Sequence, residues 1–131
     1  IAALQSHSTS NPTSFAYAGA LAALQGPQQP VEDMRRAFVQ RRDNIFELLS
    51  SIPGITVPKP RGAFYIFPDI SSFGLDSMTF AERLLNEVKV AVIPGKPFGA
   101  DNHIRLSYAC SMDVIETACA RLGEFCSGLT G

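Results

Sequence analysis

The spacing of apolar residues predicts four helices along the chain. An alanine-rich helix follows an N-terminal polar loop, with Asn11 as its expected N-cap, Pro12 in its first turn and its end near Leu24. A second helix begins at Pro30 and ends before Pro53. Its first turn contains the acidic residues Glu32 and Asp33. Its apolar stripe consists of Val31, Met34, Phe38, Ile45, Leu48, Leu49 and Ile52.

The third and fourth predicted helices carry shorter apolar stripes. The third covers about residues 78–88. The fourth follows Ser111, its expected N-cap, and continues toward the C-terminus. The expected buried faces are Ala81, Leu84, Leu85 and Val88 in the third helix, and Ile115, Ala118, Leu122 and Phe125 in the fourth.

Four short strands complete the predicted elements. They lie at residues 55–57, 63–67 and 90–93 and within residues 102–111. The strand at residues 63–67 is apolar on both faces, so we expect it to be central in the sheet and covered on both sides. The order α, α, β, β, α, β, β, α indicates an α+β fold, in which helices pack on a small, mainly antiparallel sheet.

The last strand carries an arginine at its centre. In "NHIRLSYACS", Ile104, Leu106 and Tyr108 alternate with a polar face on which Arg105 is flanked by His103 and Ser107. A buried guanidinium needs a partner, and its planar fork matches a carboxylate or a phosphate. The pattern alone leaves three alternatives: a ligand-binding arginine, an arginine on a solvated sheet face, or one paired with an internal acid.

The Gly/Pro loop "PGKPFG" precedes this strand. Loops between strands are frequent ligand-approach sites, so the loop favours the ligand alternative. The loop has a Gly-Lys pair, but it lacks the following Ser or Thr and the earlier Gly of a nucleotide-binding P-loop. A nucleotide site is therefore not predicted.

Composition and charge exclude several classes of function. The net charge is −1, and a cluster of arginines (Arg35, Arg36, Arg41 and Arg42) is interleaved with acids, so neither nucleic acid nor a membrane surface is an expected partner. No apolar run is long enough to span a membrane, and no His, Cys and acid spacing fits zinc. The three cysteines indicate free thiols in a reducing compartment, such as the cytoplasm.

Four ordered motifs resemble one enzyme family. "LQSHSTSNPTSFAYAGALAAL", "PRGAFYIFPDIS", "VAVIPGKPFG" and "HIRLSYACSMDVIETACARL" are similar to the C-terminal part of fold-type I, class I aminotransferases, the group that includes aspartate aminotransferases. The resemblance covers nearly the whole chain in the family's order and spacing. It implies a transaminase that moves an amino group between an amino acid, with aspartate as a candidate, and a 2-oxo acid through pyridoxal phosphate.

The resemblance assigns roles to particular residues. Arg105 matches the family's arginine that binds the substrate α-carboxylate, and Tyr65 is a candidate on the substrate side, with core packing as its alternative. The family forms homodimers, so Ser10 and Asn11 are candidate contacts to the partner subunit's active site, with helix capping as their alternative. Residues 1–30 correspond to the end of the large domain and the interdomain helix, and residues 31–131 to the small C-terminal domain.

The chain departs from the family at the lysine that binds pyridoxal phosphate covalently. None of its three lysines, Lys59, Lys89 and Lys96, lies in the expected sequence context. The chain also opens on Ile1 without an initiator methionine, so it is expected to be part of a longer polypeptide. We expect it to contribute the substrate arginine to its parent enzyme, to bind no pyridoxal phosphate alone and to be inactive in isolation.

Two alternative functions remain open. The chain could be a free-standing α+β module that binds a carboxylate or a protein without catalysis. A relative of the aminotransferases that performs elimination, racemisation or decarboxylation on the same scaffold is also compatible with the motifs.

Overall fold

The computed structural model describes residues 1–129, which form five helices and a three-stranded antiparallel sheet. The helices are α1 (Ala2–Ser8), α2 (Ser14–Gln25), α3 (Gln29–Ser50), α4 (Ser77–Val88) and α5 (Met112–Leu129). The strands are β1 (Tyr65–Ile66), β2 (Ile93–Pro94) and β3 (Ile104–Ser107). The predicted α+β class is confirmed, since helices accompany a small antiparallel sheet.

The chain divides into two compact units, and the division lies inside α3. The first unit is Ile1–Arg35, and the second begins at Arg36. In the first unit, residues 2–8 are helical, although the sequence predicted a polar loop there from residue 4. The predicted N-cap is also wrong, because α2 begins after Thr13 rather than after Asn11. Thr13 makes no side-chain capping bond, so this helix start lacks the interaction on which the prediction relied.

The sheet order β1-β3-β2 corrects the prediction of a central strand at residues 63–67. The central strand is β3, with Tyr65 opposite Ser107 on one side and Ile93 opposite Arg105 on the other. β1 is a two-residue edge strand, and only Ile66 of its pair is buried. Tyr65 and the preceding Phe64 stay partly exposed, at 37% and 40%, and their rings contact each other at 4.4 Å between centroids.

The other predicted strands are shorter than expected. Residues 55–57 contribute only an isolated bridge from Thr56 to Asp69, which also bridges to His103. β2 begins at Ile93, three residues later than predicted, and its Pro94 lies on an edge where a missing N–H is tolerated. A tight turn follows at Gly95, where a side chain would collide with the carbonyl oxygens of Ala100 and His103.

The core of the second unit lies between the sheet, α4, α5 and the C-terminal half of α3. Phe80 and Phe125 meet edge to face at 5.2 Å, and Tyr108 is 1% exposed beside them in the same cluster. The predicted stripes of α3 and α5 are confirmed at Ile45, Leu49, Ile115, Leu122 and Phe125, all of which are buried. At the start of α3, however, Val31 and Met34 are exposed.

The predicted buried face of α4 is confirmed at Leu84 and in part at Val88, but it includes Phe80 and excludes Leu85. Ser77, Phe80 and Leu84 are buried, whereas Leu85 is 49% exposed. The i, i+3, i+4 pattern was compatible with either face, and contact with Phe73 and Phe125 selected the one that carries Phe80.

Candidate substrate-binding site

Arg105 projects from the central strand between two aromatic rings. The burial pattern of β3 confirms the predicted alternation, since Ile104 and Leu106 are buried and Arg105 is half-buried on the opposite face. The guanidinium carbon lies 4.4 Å from the ring centroid of Tyr65 and 4.6 Å from that of Phe98. Both distances are within the range of a cation–π contact.

The guanidinium of Arg105 has no acidic partner within residues 1–129. No ion pair joins it to a carboxylate there, and its buried Nε has no hydrogen-bond acceptor. The alternative of an arginine paired with an internal acid is therefore excluded for the described residues. A fixed cation with unused donors is suited to an incoming anion.

Tyr65 is held over Arg105 by the register of the sheet and by the turn that precedes β1. Tyr65 is opposite Ser107, two residues from Arg105 on the same side of β3. Ala63 in the preceding turn has a φ of +58°, in the left-handed region that is costly for a residue with a Cβ. Its carbonyl accepts a 2.9 Å hydrogen bond from the Tyr108 hydroxyl. Tyr65 therefore contacts Arg105 and is not in the core.

Phe98 is the site residue that the sequence analysis missed. It ends a short 3-10 turn, Lys96–Phe98, inside the "PGKPFG" loop, and it is 51% exposed. A large aromatic residue in a Gly/Pro loop beside the arginine strand was the available signal. Its contact with Arg105 depends on the path of the loop, which local pattern does not specify.

Phe98 also contacts a second aromatic residue, Phe67. The Phe67 ring meets Phe98 edge to face at 6.1 Å and stacks on His103 at 4.9 Å. His103 lies beside Asn102, with 2.9 Å between its Nδ1 and the amide Oδ1. Nearby, hydrogen bonds from Ser71 lower the pKa of Asp69 from its ordinary value. His103 therefore contacts an aromatic ring, that of Phe67, on one side and polar groups on the other.

Ser10 and Asn11 lie between α1 and α2 in the first unit, and both are exposed. Ser10 has a φ of +58°, an uncommon conformation for a residue other than glycine. Neither residue makes a side-chain hydrogen bond that caps α2.

The described residues do not fit a pyridoxal phosphate site. Such a site needs a lysine amine directed at the cofactor inside an enclosed cavity. Lys59 pairs with Asp43 at 2.9 Å, Lys96 is largely exposed, and the ammonium of Lys89 donates to the carbonyl of Asn86. The surroundings of these three lysines therefore do not support a covalent bond to the cofactor.

A cavity of about 500 Å³ lies away from Arg105, between α5 and the end of β3. Its lining is mostly apolar and includes Cys110 and Cys119. Burial raises the pKa of Cys119 to about 11, and that of Cys126 also to about 11, so these thiols are poor nucleophiles. Arg105 does not line this cavity, and the charged site is the better functional candidate.

Residues 1–129 contain neither a metal-binding cluster nor a membrane-spanning helix. No group of three or more His, Cys, Asp or Glu side chains there is arranged to hold a metal ion. None of the helices in that part of the chain is both long enough and apolar enough to cross a membrane.

Comparison with known proteins gives a consistent set of similarities. The family described as aminotransferase class I and II matches residues 1–122. The aspartate aminotransferase of Geobacillus stearothermophilus is 51% identical over 93% of this chain. The crystal structure of an aspartate aminotransferase from Rhizobium meliloti superposes with a TM-score of 0.89 at 32% identity over 96% of the chain. An aromatic aminotransferase from Pyrococcus horikoshii gives a TM-score of 0.90 at 35% identity over 95%.

The matched proteins are much longer than this chain. The chain spans 32% of the Geobacillus protein, and 34% of both the Rhizobium and the Pyrococcus structures. The similarity therefore concerns about a third of each relative.

Proposed function

The chain belongs to the class I and II aminotransferase family, and we propose on that premise that it is the substrate-closing C-terminal part of a pyridoxal-phosphate-dependent transaminase. Residues 31–131 form the small domain, and residues 1–30 connect it to the large domain. The parent enzyme moves an amino group between an amino acid and a 2-oxo acid in the cytoplasm, and aspartate is the first substrate to test because several relatives are named for it.

The environment of Arg105 carries this proposal. Its guanidinium is fixed between Tyr65 and Phe98 and has no internal acid in residues 1–129. Hydrogen bonds from the terminal nitrogens of this guanidinium to an anion are charge-assisted, and such bonds contribute about 1.5–3 kcal/mol each. Since the Nε is enclosed, the substrate carboxylate approaches through the terminal nitrogens, which make two parallel charge-assisted bonds.

The rings of Tyr65 and Phe98 give the site its direction. Both rings contact the guanidinium, at 4.4 and 4.6 Å from its carbon, and so limit the directions from which a ligand can approach it. A carboxylate held in the guanidinium plane has a defined orientation, which a transferring enzyme needs for its substrate. Movement of the small domain over the bound substrate excludes water.

The cofactor chemistry belongs to the parent polypeptide. Pyridoxal phosphate, when bound, supplies the electron sink for amino-group transfer. This chain supplies carboxylate binding and orientation and lacks the cofactor lysine, so the chain alone binds no pyridoxal phosphate and is inactive. In the homodimeric parent, the exposed Ser10 and Asn11 contact the partner subunit near its active site.

A second candidate function is a module that binds a protein or a carboxylate without catalysis. Exposed apolar residues on α2 favour it, namely Phe15 at 77%, Tyr17 at 60% and Leu24 at 80% exposure. Association of the purified chain that increases with concentration would support this function. A monomer at high concentration would contradict it.

Replacement of Arg105 in the full-length enzyme tests the proposed function. Arg105→Lys keeps the positive charge but loses the planar guanidinium that makes two parallel hydrogen bonds, and Arg105→Ala removes both the charge and the guanidinium. We expect kcat/KM for aspartate and a 2-oxo acid to fall about 30- to 1000-fold in Arg105→Ala, as when one partner of a buried charge pair is removed. Arg105→Lys should lie between this variant and the parent.

Arg83→Lys is the matched control. Arg83 also covers an aromatic ring, that of Phe125 at 5.4 Å, but it is paired with Glu87 at 2.7 Å on the exposed side of α4. Its replacement should leave kcat/KM within about twofold. Equal activity in the Arg105→Ala enzyme and the parent would overturn the proposed function.

A further inference from the structure

We propose that Ser77 is a positioning residue for the Arg105 site. Its buried hydroxyl ties together the two ends of the loop at residues 95–101 and thereby holds Phe98 against the guanidinium. The effect on substrate rests on the proposed function, whereas the effect on the contact between Phe98 and Arg105 does not.

Ser77 is an exception in the core. Among residues 1–129, Ser77 is the one small polar or charged residue that is buried, with 0% exposure. A hydroxyl transferred from water to the core is costly unless it is hydrogen-bonded. Here Oγ donates to Oδ1 of Asp101 at 2.7 Å and accepts from the backbone N–H of Lys96 at 3.1 Å. The Ser77 side chain thus bonds to the backbone of Lys96 near the start of the loop and to the carboxylate of Asp101 at its end.

The loop itself has little freedom apart from this connection. Phe98 and Ala100 both donate backbone hydrogen bonds to the carbonyl of Gly95, at 2.8 and 3.2 Å. Gly95 has no room for a Cβ. The loop therefore moves as one unit, and Ser77 attaches that unit to the start of α4. The backbone N–H of Ser77 adds a 2.7 Å bond to the carbonyl of Asp101.

Capping of α4 does not explain the Ser77 hydroxyl. Asp76 is the N-cap, and its carboxylate accepts from the backbone N–H groups of Met78 and Thr79, both at 3.0 Å. The helix start is complete without the Ser77 side chain. Both partners of the hydroxyl belong instead to the loop that carries Phe98.

The attachment of the loop to Ser77 matters because the side chain of Phe98 makes few other contacts. Its side chain is 51% exposed, and its described ring contacts are Arg105 at 4.6 Å and Phe67 at 6.1 Å. A loop released from Ser77 would let the ring leave the guanidinium. Arg105 would then keep only the cover of Tyr65.

The first test is spectroscopic and uses the 131-residue chain. Ring currents from Tyr65 and Phe98 shift the Nε–H and side-chain CH₂ resonances of Arg105, and Phe98→Leu defines the shift that remains without the second ring. In Ser77→Ala, we expect these resonances to move toward the Phe98→Leu positions. Ser51→Ala is the control, since that exposed hydroxyl bonds only to Leu48 of its own helix end. It should leave the Arg105 resonances unchanged.

Replacement of Asp101 keeps the test decisive if Ser77→Ala does not fold. Asp101 is exposed, so Asp101→Ala breaks the connection without a core cavity, whereas Asp101→Asn retains the Oδ1 acceptor. We expect Asp101→Ala to displace the Arg105 resonances and Asp101→Asn to restore them. Parent-like Arg105 resonances in every folded variant that breaks the connection would overturn the proposal.

The second test uses the full-length enzyme loaded with pyridoxal phosphate. We expect Asp101→Ala and Ser77→Ala to raise KM for the amino acid about two- to fivefold, the factor that an exposed cation–π contact contributes, with kcat little changed. An unchanged KM in these variants, alongside a raised KM in Arg105→Lys, would overturn the positioning role alone. An unchanged KM in Arg105→Lys would instead overturn the proposed function, and the Arg105 resonances would still decide the role of Ser77.

Discussion

The hydroxyl of Tyr108 donates a 2.9 Å hydrogen bond to the carbonyl oxygen of Ala63, a residue that precedes it by 45 positions. The backbone N–H of Tyr108 also donates to the carbonyl of Phe64 at 2.9 Å. These two bonds hold the turn before β1, in which Ala63 has a positive φ. The turn leads directly to Tyr65, which covers Arg105 at 4.4 Å. The buried Tyr108 thus fixes the start of β1, the strand that carries Tyr65.

We expect Tyr108→Phe to lower the free energy of unfolding by about 0.5–1.5 kcal/mol, since it removes the hydrogen bond to the carbonyl of the exposed Ala63. The ring itself is retained, so the core should not collapse. Urea denaturation of the chain measures this loss. Tyr17→Phe is the control, because Tyr17 is 60% exposed, and it should change the unfolding free energy by less than about 0.5 kcal/mol. Equal stabilities for the two variants would show that the hydrogen bond contributes nothing.

Replacement of Tyr65 separates its ring from its hydroxyl. Tyr65→Phe keeps the aromatic face over Arg105, so we expect KM for the amino acid in the full-length enzyme to stay within about twofold. Tyr65→Leu removes the aromatic face at similar bulk and should raise KM about two- to thirtyfold, the range of a partly desolvated cation–π contact. A large effect of Tyr65→Phe would instead assign the contribution to the hydroxyl.

Two adjacent leucines on α4 test which face of that helix is buried. Leu84 is 0% exposed and Leu85 is 49% exposed. Leu84→Ala should cost about 2–5 kcal/mol of unfolding free energy because it leaves a cavity, whereas Leu85→Ala should cost less than about 1 kcal/mol. Thermal or urea unfolding measures both. Equal costs would contradict the observed orientation of α4.

The carboxylate of Asp76 makes the stability of α4 dependent on pH. Hydrogen bonds from the backbone N–H and the hydroxyl of Thr79 lower the pKa of Asp76 from its ordinary value. Its stabilising contribution is therefore fully present above the unfolded-state pKa of about 3.9 and decreases as pH falls through the lower folded-state pKa.

Asp76→Asn isolates this titration, because an asparagine caps the helix without ionising. We expect Tm of the parent chain to exceed that of Asp76→Asn at pH 6 and the difference to shrink as pH falls below about 4. A difference in Tm that stays constant from pH 6 to pH 3 would contradict the role of the ionised cap. Thermal denaturation followed by circular dichroism provides the measurement.

Sequence pattern predicted the helices better than the strands. α3 and α4 begin within about one residue of their predicted starts, because proline, acids and apolar spacing mark a helix locally. The residues at positions 63–67 are apolar on both faces in sequence, yet they form an edge strand. Their outward rings contact one another and Arg105, an arrangement that depends on partners distant in the chain.

The candidate site was also only partly predictable. Alternation in β3 identified Arg105 and its polar face, and motif resemblance identified the family and predicted that Arg105 binds the substrate. Phe98 and Ser77 were missed, because each acts through a loop whose path is set by bonds between separate segments. The predicted capping of α2 by Asn11 was wrong for a related reason, since α1 occupies most of the residues expected to be a polar loop.

The sequence by itself determined the α+β class, the four predicted helices and the presence of an arginine on a half-buried strand. These features follow from local periodicity and from the chemistry of single residues. The tertiary structure decided that Arg105 contacts two rings and has no acidic partner among residues 1–129, and that Tyr108 and Ser77 hydrogen-bond to the segments that carry those rings. The physical reason is that a cation–π sandwich and a shared buried hydroxyl join residues far apart in sequence, and periodicity along the chain carries no information about such pairs.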